Sequence, residues 1–234
     1  MFWAGVNKKT LSLPVICFFI AAVFYSGVAY IAGGFTRIVG IILLAMFVAY
    51  MVITVLHAKK HPDEAEAEDE DEKELSTGKS IFLIVIGAVL IAVGANFLVD
   101  NGKIIAAQVG VPESVIALTF IALGTSLPEL VTAITSLIKG HGALSLGNVI
   151  GANIFNLVLV SGTAITIKEF SLPETTTPIF GINSSLVVDI PVMLLVMAIL
   201  TLPAVFAGKL KRWQGVLLLM IYVGFTAFQF VWNK

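Results

Sequence analysis

LTFIALGTSLPELVTAITSLI (residues 118–138) and ALSLGNVIGANIFNLVLVSG (residues 143–162) decide how this chain is read. The first is apolar and long enough to cross about 30 Å of hydrocarbon at about 1.5 Å of rise per residue. Glu129 nonetheless sits near its middle, where an ionised carboxylate is costly unless it faces a bundle interior or a wet cavity. The residues before it break the helix. Pro128 has no N–H, and its ring clashes with the carbonyl of Gly124, four residues back. Gly124, Thr125 and Ser126 are permissive or polar, so the turn can open. Carbonyls freed at membrane depth, two hydroxyls and a carboxylate make an oxygen-only set suited to a hard cation. The competing reading is a kinked structural helix with Glu129 protonated.

The second stretch offers a facing surface. Gly147 and Gly151 form a GxxxG pair, which predicts close approach of another backbone. Asn148, Ala152 and Asn156 recur at four-residue spacing and share one helical row, with Asn153 beside it. Three asparagines are too many for a lipid-facing helix; they suit a cation path or interhelical hydrogen bonding. The short connection at 139–142 makes the two helices antiparallel, which brings Glu129 and Asn153 or Asn156 to similar depth.

The rest of the chain agrees with a membrane setting. Of 234 residues, 58% are hydrophobic and 12% charged, against about a quarter charged in soluble domains. Seven apolar segments are expected to span, at 11–32, 38–57, 80–99, 114–138, 144–166, 185–207 and 214–232. The fold class is therefore all-α, a polytopic membrane protein with about seven transmembrane helices, one of them broken. A net charge of −1 argues against nucleic acid as a partner, and the single cysteine, Cys17, excludes a disulfide framework. No nucleophile–histidine or histidine–metal set lies at membrane depth, so an enzyme is not expected.

Orientation follows from the basic residues. With the N-terminus inside, Lys8, Lys9, Lys59, Lys60, Lys73, Lys79, Lys139, Lys209, Lys211 and Arg212 are cytoplasmic, against Arg37, Lys103, Lys168 and Lys234 outside. That asymmetry implies an inner-membrane protein with its C-terminus outside. Trp3, Trp213 and Trp232 all fall at span ends, where indole rings favour the headgroup layer. Nine of the 15 acidic residues lie within PDEAEAEDEDEKE (62–74), which reads as a solvated cytoplasmic linker, residues 58–79. His57 and His61 are four apart, but Lys59 and Lys60 between them and Pro62 beyond suit an interfacial basic cluster better than a metal site. Asp189 and Asp100 fall near outer span ends, positions that read as interfacial.

GTSLPELVTAITSL (124–137) followed by GNVIGANIFN (147–156) resembles the α-repeat of the sodium/calcium exchanger family, within the calcium/cation antiporters. GANFLVDNGKIIA (94–106) looks like the sliding helix before that family's second α-repeat, and KRWQG (211–215) like the entry to its last helix. The resemblance implies calcium/sodium antiport by alternating access, with no cofactor and with transported calcium and sodium as ligands. It makes Glu129 the central carboxylate, with Ser126, the carbonyls of Ala122 and Thr125, the Thr125 hydroxyl, Asn153 and Asn156 as further ligands. Two departures bear on the coupling ion. Ala152 stands where the family offers a serine hydroxyl, and Asn156 is the amide form of a position often acidic. Calcium/proton exchange is the alternative these favour.

By the same resemblance, residues 1–57 look like two helices closing the family's first half, and 80–234 like its five-helix second half with one α-repeat. The family carries two inverted repeats. One repeat provides about half of the six to eight oxygens that calcium takes. A partner chain bearing a first-half α-repeat, or a preceding segment of a longer chain, is therefore expected. The different-class alternative is a non-transporting membrane subunit.

Overall fold

Inside a bilayer the backbone must satisfy its own polar groups, so apolar runs of twenty residues have no alternative to the helix. A computed structural model describes residues 8–60, 76–110, 116, 122–172, 179 and 181–232. The acidic run at 63–74, His61, the start of the fourth span, Trp3 and Lys234 lie outside them. The described helices are α1 (Lys8–Ala32), α2 (Arg37–Lys60), α3 (Thr77–Gln108), α4 (Ala122–Thr125), α5 (Leu127–Ile138), α6 (Gly142–Ile167), α7 (Ser185–Ala207) and α8 (Arg212–Trp232). Two short strands, β1 (Gly34–Phe35) and β2 (Phe170–Ser171), pair antiparallel and join the α1–α2 connection to the segment after α6. Among the described residues, α1, α2, α3, α6 and α7 are long and apolar enough to cross a membrane. The 21-residue α8 occupies the last expected span.

The extent of α3 and the break in the fourth span have identifiable causes. α3 is 32 residues long, about 48 Å, because nothing in its sequence stops it near 99: Gly102 alone costs only about 1 kcal/mol. Asp100 and Lys103 consequently ride on the helix as an i,i+3 pair 3.8 Å apart. The fourth span is broken at Ser126 into α4 and α5, as the proline at position 128 requires. α6 and α7 each contain a wide π-helical turn, at Phe155–Val160 and Ser185–Asp189.

The core lies among α1, α2, α6 and α7. Phe18 of α1, Leu43 of α2 and Ile150, Ile154 and Ile165 of α6 are fully buried there, with Met197 and Ala204 of α7. α3 stands outside this core and packs on α4 and α5; its Ile84, Leu90 and Phe97 are exposed, as lipid-facing side chains are. Polar side chains tie the helix ends. The Glu169 carboxylate accepts a 2.7 Å hydrogen bond from the Arg37 N–H at the start of α2. Buried Gln229 of α8 donates to Asp189 Oδ1 of α7 at 2.8 Å, so this aspartate is engaged between helices.

The expected close approach at Gly147 and Gly151 is not where the helices meet: a Cβ at either would touch nothing within 4 Å. Their side of α6 faces an open space. The intimate crossing is instead between α2 and the end of α6. A Cβ on Gly40 would lie 2.5 Å from Thr166 Oγ1, 2.7 Å from its nitrogen and 2.8 Å from the Gly162 carbonyl oxygen. Two of those atoms are backbone and cannot rotate away. Gly40→Ala should therefore destabilise the protein by about 1–3 kcal/mol, the usual cost of overpacking. Gly87→Ala, on open α3 surface, should be neutral to mildly stabilising, by up to about 1 kcal/mol. Denaturation midpoints in detergent check the pair; equal midpoints would contradict the crossing.

Candidate cation site

The site begins at the break. Ser126 leaves the helical path with φ −97° and ψ 0°, and α5 restarts with Pro128 in its first turn, where its missing N–H is harmless. Glu129 is in that same turn, at the positive end of α5, a location that favours a carboxylate. The Ser126 carbonyl is taken by the Leu130 N–H at 3.0 Å. Gly124 is buried against α3; a Cβ there would meet Val99 Cγ2 at 2.0 Å, so the residue before the break must be small.

α6 runs back antiparallel beside α5. The two are stitched by Ser145, whose hydroxyl donates to the Ala133 carbonyl at 2.9 Å. Deeper along the pair, Asn148 Nδ2 lies 3.5 Å from the Glu129 carbonyl oxygen, a long hydrogen bond. Between the helices is a cavity of about 270 Å³ lined by Glu129, Asn148, Gly151, Ala152, Phe155 and Asn156. It is largely open to one side and has room for a cation with part of its hydration shell.

Glu129 is half-buried, and its Oε2 is fully buried with no hydrogen-bond partner among the described residues. A buried carboxylate oxygen without a partner is costly, so it calls for a hydrogen-bond donor or a cation. Among the described residues no three His, Cys, Asp or Glu side chains come together. Among the described residues lining the cavity, the side-chain oxygens beside Glu129 are the neutral amides of Asn148 and Asn156, hard ligands of low charge.

The six residues proposed from sequence fall in different places. Glu129 and Asn156 line the cavity. Asn153 does not; it turns back to its own helix and donates to the Val149 carbonyl at 2.8 Å. Thr125 and Ser126 are exposed at the break, and Ala122 opens α4. Asn148 was part of the recognised row but not among the expected ligands. Its spacing from Ala152 and Asn156 is the signal in the sequence that places it on the cavity row. The Asn156 carbonyl is held by Ser161, through its backbone N–H and its hydroxyl at 3.0 Å, the i+5 reach of the π turn. Such turns recur at functional sites.

Comparison with known proteins gives one answer. The family profile described as sodium/calcium exchanger protein matches residues 79–231. The sodium/calcium exchanger MaX1 of Methanosarcina acetivorans is 37% identical over 152 residues, covering 65% of this chain and 41% of that protein. An uncharacterised membrane protein of Methanocaldococcus jannaschii is 31% identical over 220 residues, covering 93% of this chain and 66% of that one. Among solved structures, the sodium-calcium exchanger NCX_Mj soaked with 10 mM Na+ and 10 mM Sr2+ superposes with a TM-score of 0.71 at 27% identity. It covers 96% of this chain and 67% of its own. The chain thus spans about two-fifths of the first of these two curated relatives and two-thirds of the second. With its helical membrane architecture, its broken span and its matching profile, the chain belongs to the sodium/calcium exchanger family.

Proposed function

We propose that this chain supplies one cation-binding α-repeat of a secondary antiporter that exchanges calcium for sodium across the membrane by alternating access. The observation that carries the reading is the unpartnered, buried Glu129 oxygen at an amide-lined cavity beside a broken helix. Glu129 is the anionic ligand; the Asn156 amide, the Ser126 and Thr125 oxygens and the Ala122 carbonyl are the neutral ones. Asn153 joins them by turning its amide from the Val149 carbonyl when a cation is bound. Sodium and calcium compete for this set because one carboxylate can balance only part of a divalent charge.

A calcium ion takes six to eight oxygens, and this chain offers about half. The face around the cavity is uncovered: Thr125, Ser126, Phe155 and Asn156 are exposed, and Gly147 and Gly151 meet nothing. A second, inverted α-repeat seated on that face completes the shell. It comes from a separate chain or from further sequence of the same protein. On this reading residues 1–57 close a first half, 58–79 link the halves, and 80–234 form the second. The basic asymmetry supports an inner-membrane orientation with the N-terminus in the cytoplasm and the C-terminus outside. Ala152, which lines the cavity without a hydroxyl, favours one second reading, calcium/proton exchange. Calcium flux driven by sodium at fixed pH separates the two.

Glu129→Gln keeps the side chain's size and removes its charge. In the complete transporter it should bring calcium flux to background and weaken apparent calcium affinity by about tenfold to a hundredfold. Wild-type exchange in that variant would remove Glu129 from the site. The purified chain reconstituted alone should insert but show no sodium-gradient-driven calcium uptake; robust uptake would show that no second repeat is required. Replacing 63–74 with a neutral flexible linker should leave exchange intact, because a solvated coil contributes no buried surface. Loss of flux in the stably inserted variant would identify the run as part of the transport machinery.

A further inference from the structure

The three asparagines of α6 are held in three different ways. Asn153 is bound to its own helix, its amide donating to the Val149 carbonyl at 2.8 Å. Asn156 lines the cavity where the wide turn begins. Asn148 lines it too, and among the described residues it is the asparagine whose side chain crosses to Glu129 itself. Its Nδ2 meets the Glu129 carbonyl oxygen at 3.5 Å, the far limit of a hydrogen bond. About one turn earlier on α6, Ser145 makes the same kind of contact to the Ala133 carbonyl at 2.9 Å. The α5–α6 seam is tight at Ser145 and slack where it opens into the cavity.

An amide half-buried between two helices is costly unless both of its ends are used. With Nδ2 turned to the Glu129 carbonyl, Oδ1 is the acceptor that Asn148 has left, and it takes no hydrogen bond among the described residues. Glu129 Oε2 is in the same condition, buried and without a partner among them. These two oxygens line one cavity and cannot satisfy each other, since an amide oxygen and a carboxylate both only accept. A cation satisfies both at once. Ala152, the next residue of the row, brings no side-chain oxygen, so this wall depends on its neighbours for ligands.

We propose that Asn148 is a direct ligand of the cation, its Oδ1 coordinating beside the Glu129 carboxylate while its Nδ2 leans on the Glu129 carbonyl. The inference rests on the cation site described under the proposed function and adds a ligand to it. A ligand and a hydrogen-bond donor differ in one consequence. Aspartate at 148 keeps the shape and the oxygen and adds a charge, but it has no N–H to give. It improves a calcium ligand, because anionic oxygens raise calcium affinity, and it ruins a donor to Glu129.

Equilibrium dialysis of the full chain in detergent against calcium-45, at about pH 8 so that carboxylates are ionised, measures the ligand set. The binding that Glu129→Gln removes belongs to this site; the remainder, including any at the acidic run 63–74, does not. Asn148→Ala should weaken the Glu129-dependent binding by about threefold to tenfold, the loss being limited because a water takes the place of the amide. Asn148→Asp should strengthen it by about tenfold. If the alanine variant loosens the α5–α6 seam, the aspartate variant still decides, since its sign is opposite in the two roles. Unchanged affinity in both variants would overturn the proposal. An aspartate variant weaker than the native chain would overturn it as well, and would make Asn148 a donor that positions Glu129. A native chain showing no Glu129-dependent binding would overturn the cation site itself, and this ligand with it.

Discussion

A carboxylate cannot rest at the middle of an apolar span unless the backbone around it is rebuilt to receive it, and much of this molecule follows from that demand. Pro128 removes one helical hydrogen bond, Ser126 takes the bend, and α5 restarts so that Glu129 lies at its positive end. α6 must then come close without filling the space, and it does so largely with the small or amide residues Asn148, Gly151, Ala152 and Asn156, beside the one aromatic, Phe155. Hydrogen bonds from Ser145 and Asn148 to α5 carbonyls fix the distance between the two helices.

The bundle separates a firm part from a lightly attached one. α1, α2, α6 and α7 share a continuous core, and the glycine crossing at Gly40 and Gly162 locks α2 to α6 at backbone contact. α3, by contrast, leans on α4 and α5 and keeps most of its apolar length in lipid. In hydrocarbon, apolar side chains gain little by moving from lipid to protein, so packing at small residues decides what is held tightly. Since α6 belongs to the core and α5 to the layer next to α3, the cavity lies on the boundary between the two parts.

What could be read from residues alone was whatever rests on length, proline and charge. Apolar runs placed five of the helices to within three residues, and Pro128 located the break. The isolated Glu129 marked where to look, because an intramembrane carboxylate has few innocent uses, and it lines the cavity between α5 and α6. Packing was less visible. Gly147 and Gly151 have the spacing of a helix contact, yet the contact formed at Gly40 and Gly162, which share no motif; which glycine faces a neighbour is a property of the assembled bundle. Asn153 and Asn148 could not be ranked from composition, since an amide can turn to its own helix as readily as to a cavity. Nothing in FNLVLV marks a π turn.

That turn changes what α6 can be. On an unbroken α-helix, Thr166 lies eighteen residues beyond Asn148, five whole turns at 3.6 residues each, and would present itself on the same side. The widened turn absorbs one extra residue and sets everything after it back by about 100°. One continuous rod therefore shows the cavity to α5 at one end and a glycine notch to α2 at the other. It behaves as a shaft with two keyways cut out of phase. An insertion of a single residue is what lets one helix serve the cavity and the scaffold together, so the number of residues in this segment, and not only their side chains, is constrained.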